Sequence, residues 1–133
     1  MRRIYTIVLV VLAICLPMTI QAKSEHLLPR PQKISLNGKA KPFKLGRKVS
    51  ITDSKGVKAL RAFFEEHGCK TDSKAKATVT VTYTDAIEGA FDHKLAGYDN
   101  EAYTLEINTD AIEITAVSET GVIRAAQTLA QLA

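Results

Sequence analysis

Glutamate and histidine side chains can act as metal ligands or as acid–base groups, and they are adjacent at Glu66 and His67. Glu66 and His67 combine a carboxylate with an imidazole. Zinc proteases use the pattern His-Glu-x-x-His, which places a second histidine one helical turn from the first, and no such histidine accompanies this pair. We therefore interpret Glu66 and His67 as a charged pair at the end of a helix.

A second set of potential ligands lies in a polar stretch of the chain. Asp92 and His93 are adjacent, and Asp85 and Asp99 flank them in the sequence. Carboxylates and imidazoles are common metal ligands. Carboxylates in a polar loop are more often simply solvated, however, so this set does not predict a metal site.

Nucleophiles and phosphate-binding loops give no stronger signal. The sequence contains no nucleophile elbow that would accompany a Ser-His-Asp triad. Its glycines are scattered singly, so they form no phosphate-binding loop. Cys69 follows Gly68 at the end of a predicted helix and is expected to be a small, half-buried apolar residue. It is the only cysteine after residue 22, so no intramolecular disulfide is expected. We predict no catalytic, cofactor-binding or metal-binding residue.

The first 22 residues predict export. Two arginines precede an apolar run at residues 4–16, and Ala22 offers a small residue for cleavage. A run of 13 residues is short for a membrane-spanning helix. We expect a signal peptide at residues 1–22 and a periplasmic or extracellular mature chain that leaves the membrane. A lipoprotein signal ending at Cys15 is the alternative, but Ile14 is bulky at the position before the cysteine.

The mature chain, residues 23–133, has the length of one domain with an independent core. Its net charge is +2, yet residues 23–76 carry +9 and residues 77–133 carry −7. The lysines are mostly single, without interleaved aromatic residues and without a recognition helix. This pattern favours a solvated face over a nucleic-acid interface.

Hydrophobic periodicity predicts a small α+β domain. Extended segments are expected near residues 27–36, 43–45, 48–52, 76–83, 102–107 and 111–117, with turns at Asn37 and at residues 108–110. Residues 84–100 are predicted to form a loop. Because the last two strands are joined too tightly for a crossover, we predict a mostly antiparallel sheet with two helices packed on one face.

The two helices are predicted at residues 55–67 and 119–133. Asp53 and Ser54 are candidate caps for the first helix, and Gly68 stands where it is expected to end. Ser118 is the candidate cap of the second helix, and Glu119 suits its positive end. The second helix has no stop signal after it.

Four stretches in order resemble the N-terminal domain of bacterial family 20 glycoside hydrolases, the β-N-acetylhexosaminidases. They are LLPRPQKI, EAYTLEI, AIEITA and the helix Gly121–Leu132 with its Gln-Thr-Leu-x-Gln-Leu pattern. Ala102, Ala111 and Ala125 stand where the family more often has glycine. At Ala111 we expect a costlier primed turn, since alanine would have to adopt a positive φ. At Ala125 we expect the helix to sit slightly farther from the sheet.

The resemblance implies a non-catalytic domain that precedes a (β/α)8 barrel. In the family, a glutamate of the barrel protonates the leaving oxygen, and the adjacent aspartate orients the substrate's own acetamido group as nucleophile. No Asp-Glu dipeptide occurs in this sequence, and residues 23–133 are too few for a barrel of about 250 residues. The resemblance therefore carries over no catalytic residue and no cofactor.

The resulting expectation is an N-terminal domain of an exported β-N-acetylhexosaminidase, separated from its barrel. The barrel would be its partner, covering an apolar face, and any glycan would bind only through the barrel. The missing helix stop would then mark a linker into the larger enzyme. Two alternatives stay open: the same domain in an O-GlcNAcase or α-glucuronidase type of enzyme, and a free-standing exported glycan-binding module.

Overall fold

A computed structural model describes residues 41–88 and 101–133, together with residues 19–20, 27, 33–35 and 39. Most of the segment expected to be extended at 27–36, the turn at Asn37 and residues 89–100 of the predicted loop lie outside the described residues. The elements are β1 (Thr19–Ile20), β2 (Phe43–Lys44), β3 (Lys48–Ile51), α1 (Val57–Glu66), β4 (Lys70–Thr71), β5 (Thr78–Tyr83), β6 (Tyr103–Ile107), β7 (Ala111–Ala116) and α2 (Glu119–Leu132).

The main sheet has five strands in the order β4-β3-β5-β7-β6 and is mixed. Strand β3 is parallel to β4 and β5, β5 is parallel to β7, and only β6 and β7 are antiparallel. The α+β class is confirmed, but the expectation of a mostly antiparallel sheet is wrong. A tight turn forces only its own two strands to be antiparallel, whereas α1 provides a crossover that returns the chain in the same direction.

A separate antiparallel pair joins β1 to β2, with Ile20 opposite Phe43. Strand β1 lies in the residues expected to be removed with the signal peptide, so on that expectation the pair belongs to the uncleaved chain. None of the helices in the described part of the chain combines the length and the apolar character needed to cross a membrane.

One face of the five-stranded sheet carries the core, and both helices pack on it. The alternating side chains of β5 and β7 are buried toward the helices, while their neighbours on the other face are polar or small. Hydrophobic spacing in the sequence predicts an apolar face of α1 formed by Val57, Leu60, Phe63 and Phe64, and all four are buried. The largest fully buried side chains are Phe43, Phe64, Leu60, Ile112, Ile114, Leu129, Val49, Val79 and Val122.

Helix α1 begins at a glycine and not at a polar cap. Its N-cap is Gly56 at φ 76°, and no side chain caps the helix. The prediction of Asp53 or Ser54 as cap is therefore wrong, because a left-handed turn at Gly56 sets the start of the helix. A Cβ at Gly56 would lie 3.1 Å from Val122, so the same glycine lets the two helices approach.

The end of α1 is a Schellman motif, as the position of Gly68 led us to expect. Gly68 has φ 75° and its N–H donates to the carbonyl of Glu65 at 2.9 Å. The N–H of Cys69 donates to the carbonyl of Phe64 at 2.8 Å. Phe64 and Cys69 are both buried in the core, which is the apolar contact that commonly accompanies this motif.

The β6–β7 hairpin has the expected register, with Leu105 opposite Ile114 and Ile107 opposite Ile112. The turn is closed by the N–H of Asn108, which donates to the carbonyl of Ala111 at 2.8 Å. Among the described residues only glycines have positive φ, so Ala111 does not adopt the strained conformation that we expected. It begins strand β7 instead, where extended backbone suits alanine.

Helix α2 is capped as predicted and lies very close to the hairpin strands. The N–H of Gly121 donates to Ser118 Oγ at 3.3 Å. A Cβ at Gly121 would lie 2.8 Å from the carbonyl oxygen of Ala102 and 3.1 Å from Cβ of Ala116. Only glycine therefore fits at this crossing. Ala125, one turn further along the helix, is fully buried.

Two side-chain contacts fasten α2 to the start of β6. Arg124 makes a two-pronged ion pair with Glu101, with Nε–Oε2 at 2.8 Å and an Nη–Oε1 distance of 3.1 Å. The hydroxyls of Tyr103 and Thr128 lie 2.6 Å apart and share a hydrogen bond. The ion pair raises the pKa of Arg124 and lowers that of Glu101. Both charged groups are partly exposed, so the pair adds little to the free energy of unfolding and mainly fixes the position of α2 relative to the start of β6.

We predict that Gly121→Ala destabilises the domain by about 1–3 kcal/mol, because the added methyl group collides with backbone at 2.8 Å. Urea unfolding measures the change. Gly46→Ala is the matched control, since nothing lies within 4 Å of a Cβ there, and its effect should stay within about 0.5 kcal/mol. Equal losses in the two variants would contradict this account of the α2 crossing.

We also predict that Cys69 stabilises the domain less as the pH rises. Burial raises the pKa of its thiol above the value in the unfolded chain. Its contribution is therefore complete below about pH 8.5 and is lost as the pH rises through the folded pKa. The measurement is urea unfolding from pH 7 to 10 in a Cys15→Ser background, with and without Cys69→Ala. A stability difference that does not change with pH would refute the prediction.

Candidate functional site

The Glu66–His67 pair is structural. His67 is half-buried, its Nδ1 lies 2.7 Å from the carbonyl oxygen of Phe63, and its ring rests on the Phe63 ring at 4.5 Å between centroids. Glu66 is exposed at the last position of α1. The imidazole is thus held at the helix end by backbone and aromatic contacts, which fits the interpretation made from the sequence.

Only one of the loop candidates lies among the described residues. Asp85 is exposed in the described part of the loop, whereas Asp92, His93 and Asp99 fall outside the described residues. Across residues 41–88 and 101–133 no three histidine, cysteine or acidic side chains come together in a way that could hold a metal ion. Cys69 is buried with a raised pKa, which keeps it a neutral thiol and a poor nucleophile.

One cleft lies where β5 and β7 end and α1 and α2 begin. It encloses about 510 Å³ and is lined by Ser54, Lys55, Tyr83, Val117, Ser118 and Glu119. The Tyr83 hydroxyl donates to the carbonyl of Lys55 at 2.7 Å. Burial, and secondarily the charge of Glu119, raise the pKa of Tyr83. The phenol is therefore neutral and engaged with backbone.

A second cleft, of about 480 Å³, lies at the opposite end of the parallel strands. We call it the basic cleft. Its lining residues are Lys44, Gly46, Arg47, Lys48, Lys74, Ala75, Lys76, Ala77 and Asp110. Five of the nine are cationic, and they come from three separate segments: the end of β2, the start of β3 and the β4–β5 connection.

The sequence showed the excess of positive charge in residues 23–76 but not its convergence. Along the sequence these lysines stand mostly singly, as on a solvated face. In the folded domain the parallel alignment of β3 and β5 brings the segments before both strands to one end of the sheet. The charge difference between the two halves of the chain was the only signal of this cleft.

The outer face of α2 is a second surface feature that the sequence did not single out. Its exposed residues after the first turn are Ile123, Gln127, Ala130 and Gln131, and they recur at helical spacing. Ile123 is 37% exposed. Between Thr120 and Leu132 the only charged side chain is Arg124, which is paired with Glu101. The outer face therefore carries a single charge, the Arg124 guanidinium, which is 43% exposed, is paired with Glu101 and donates to the side-chain oxygen of Gln127 at 3.0 Å.

Helix α1 provides the contrast. Its exposed positions are Lys58, Arg61, Ala62, Glu65 and Glu66, four of which are charged. Such a mixture of charges is typical of a surface in water. Depletion of charge is typical of the centre of a protein–protein interface. Both helices pack on the same sheet, so the difference in charge between their outer faces comes from their own exposed residues.

Comparison with known proteins gives a consistent assignment. The family model for glycosyl hydrolase family 20, domain 2, matches residues 24–133. A comparison with curated protein sequences finds no match. Among solved structures, the family 20 β-N-acetylhexosaminidase from Streptomyces coelicolor A3(2) is similar, with a TM-score of 0.54 and 19% identity over 78% of this chain.

The chain spans about a fifth of that enzyme's length, since the similarity covers 20% of the Streptomyces chain. At this identity the likeness establishes the shared fold. The family model covers almost all of the sequence after the expected leader. This chain therefore belongs to glycosyl hydrolase family 20, and residues 24–133 are its non-catalytic domain 2.

Proposed function

We propose that this chain is the non-catalytic domain of an exported β-N-acetylhexosaminidase-like glycoside hydrolase and that it supports a catalytic (β/α)8 barrel. The whole enzyme would release terminal N-acetylhexosamines from glycans. Family membership supports the parent enzyme class, and the β-N-acetylhexosaminidase activity of the Streptomyces protein supports the substrate. Export rests on residues 1–22, with cleavage after Ala22. A lipoprotein anchored through Cys15 is the alternative.

The observation that carries the supporting role is the outer face of α2, whose one charge, Arg124, is paired with Glu101. A face with Ile123, Gln127 and Ala130 exposed and with no free charge resembles an interface core more than an ordinary surface. The inner face of α2 is already buried against β6, β7 and α1. A barrel packed on the outer face would bury the helix on both sides, as the expected apolar contact requires.

The same domain could serve a related exo-glycosidase of the O-GlcNAcase or α-glucuronidase type. The Gln-Thr-Leu-x-Gln-Leu pattern favours family 20, which agrees with the matching family model. The reading frame downstream of the Ala133 codon distinguishes these types. An Asp-Glu dipeptide after a barrel strand supports a β-N-acetylhexosaminidase, whereas two consecutive aspartates point to the O-GlcNAcase type.

We predict that the purified chain does not hydrolyse 4-nitrophenyl N-acetyl-β-D-glucosaminide, because it contains no Asp-Glu pair to protonate the leaving oxygen and to orient the acetamido group. Release of 4-nitrophenol is followed by absorbance over hours at high protein concentration. A polypeptide extended through the downstream reading frame is the positive control. Turnover by the short chain that persists through repeated purification would overturn the assignment.

We further predict that Ile123→Lys lowers the free energy of unfolding of the extended polypeptide but not that of the short chain. Ile123 is partly exposed in the domain alone, so its replacement should change the free energy of unfolding by no more than about 0.5 kcal/mol. Against a barrel, the added lysine would be buried without a partner, and the loss should reach about 1–3 kcal/mol. Thermal and urea unfolding of both polypeptides measure the two effects.

Ala62→Lys is the matched control for Ile123→Lys, because it places the same side chain at an exposed position on the charged face of α1. It should leave both polypeptides unchanged within about 0.5 kcal/mol. The α2 surface is not the barrel contact if the two substitutions destabilise the extended polypeptide equally. It is also not the contact if Ile123→Lys already destabilises the short chain to the same extent.

A further inference from the structure

We propose that the basic cleft binds the carboxylate or sulfate groups of an anionic polysaccharide. The site lies on the domain itself. The cationic side chains that line it are Lys44, Arg47, Lys48, Lys74 and Lys76. Choosing a glycan as the ligand rests on the proposed function, whereas the preference of the cleft for anions does not.

The cleft carries more positive charge than its own carboxylates neutralise. Lys48 pairs with Asp72 at 2.7 Å, and Lys76 pairs with Asp110 at 3.4 Å. Hydrogen bonds from Lys48 and from the backbone N–H of Lys74 help to lower the pKa of Asp72, so this carboxylate is charged at neutral pH. The negative charge of Asp72 is already balanced by Lys48.

Among the described residues, the other three cations have no such partner. Within the described part of the chain, no ion pair engages Lys44, Arg47 or Lys74, and all three side chains belong to exposed residues. They lie beside the ion pairs Lys48–Asp72 and Lys76–Asp110, which hold the geometry of the cleft. These three cations are therefore available to an external anion.

Two further lysines extend the positive surface beyond the lining residues. Lys70 is directly opposite Lys48 in the parallel β3–β4 pair, so the two side chains lie on the same face. The backbone carbonyl of Lys41 accepts a hydrogen bond from Thr109 Oγ1 at 3.3 Å, which places Lys41 beside the turn that carries Asp110. The cations thus continue in two directions from the cleft.

This arrangement suits a polymer better than a small anion. The cleft is open, and its cations are solvated side chains on separate segments, so each single contact with an anion is screened and weak. Anionic groups repeated along one chain can engage several such cations at once, and the linked contacts then reinforce one another. A polysaccharide with a charge on each residue or disaccharide has this form.

The lining residues favour a glycan over a nucleic acid. Single-stranded nucleic acids are usually held by aromatic side chains that stack on the bases, and the described lining of this cleft contains no aromatic residue. In the described part of the chain, neither helix contributes a lining residue that could enter a groove of a duplex. The available contacts are ionic, and carboxylate or sulfate groups of a charged sugar can make them.

The experiment measures binding of the purified chain to polygalacturonate and to dextran sulfate by titration calorimetry at 50 and 150 mM salt. Neutral dextran and a single-stranded DNA of similar charge are the comparison ligands. Polygalacturonate offers carboxylates and dextran sulfate offers sulfates, so the two separate the possible anionic groups. We expect binding to at least one of them and none to dextran, with an affinity that falls as salt rises.

A pair of charge-matched variants locates the site. The cleft variant replaces Lys44, Arg47 and Lys74 by Gln, and the control variant replaces Lys55, Lys58 and Arg61 by Gln. Each removes three positive charges from exposed positions. We expect the cleft variant to lose about tenfold in affinity and about two units of the logarithmic salt slope. The control should lose less than about twofold. Unchanged unfolding midpoints show that both variants are folded.

Three results would overturn the proposal. Equal losses in both variants would show that only net charge matters. Binding of DNA as tight as that of the polysaccharides, with the same dependence on the cleft cations, would replace the glycan by a nucleic acid. Absence of binding to both anionic polymers would remove the site altogether. None of these results bears on hydrolysis by the extended polypeptide, so the proposed function stands or falls separately.

Discussion

The close crossing of α2 over strands β6 and β7 is the contact on which the rest of the domain depends. Gly121 lies so near the carbonyl of Ala102 and Cβ of Ala116 that no side chain fits between helix and sheet. This approach buries Val122, Ala126 and Leu129 against the sheet. It also lets α2 lie beside α1, which Gly56 allows from the other side. Two glycines thus set the spacing of the whole helical layer.

The same crossing determines which surfaces remain for partners. Because the inner face of α2 is buried, its outer face can only be a free surface or an interface, and the lack of unpaired charge favours an interface. The polar face of the sheet shows the opposite character, with threonines and glutamates exposed along β5, β6 and β7. The domain therefore has a sheet face suited to water, and on its helical side the outer face of α2, unlike that of α1, is suited to another protein layer.

A domain without a reactive centre can still contribute to an enzyme through its surfaces. The candidate acid–base residues have structural explanations where the chain is described: His67 closes a helix end, and Tyr83 donates to backbone. The features without such an explanation are the outer face of α2 and the basic cleft. They lie on different elements, so a barrel could cover the first while the second stays open to a charged polymer.

The sequence alone determined the helices, most strand positions and the family. Its signals are local, since hydrophobic spacing identified the apolar face of α1 and the paired strands β6 and β7, and Ser118 and Gly68 marked helix ends through short-range hydrogen bonds. The parallel alignment of β3, β5 and β7 was missed, because strand direction depends on crossovers that periodicity does not report.

The tertiary structure alone decided how distant residues meet. It placed the start of α1 at Gly56 instead of a polar cap, because the approach of the two helices outweighs a single capping bond. It also gathered lysines and an arginine from three separate segments into the basic cleft. Charge is counted along the sequence, but its concentration at a surface depends on which strand ends lie side by side. That arrangement is a long-range property that only the folded chain possesses.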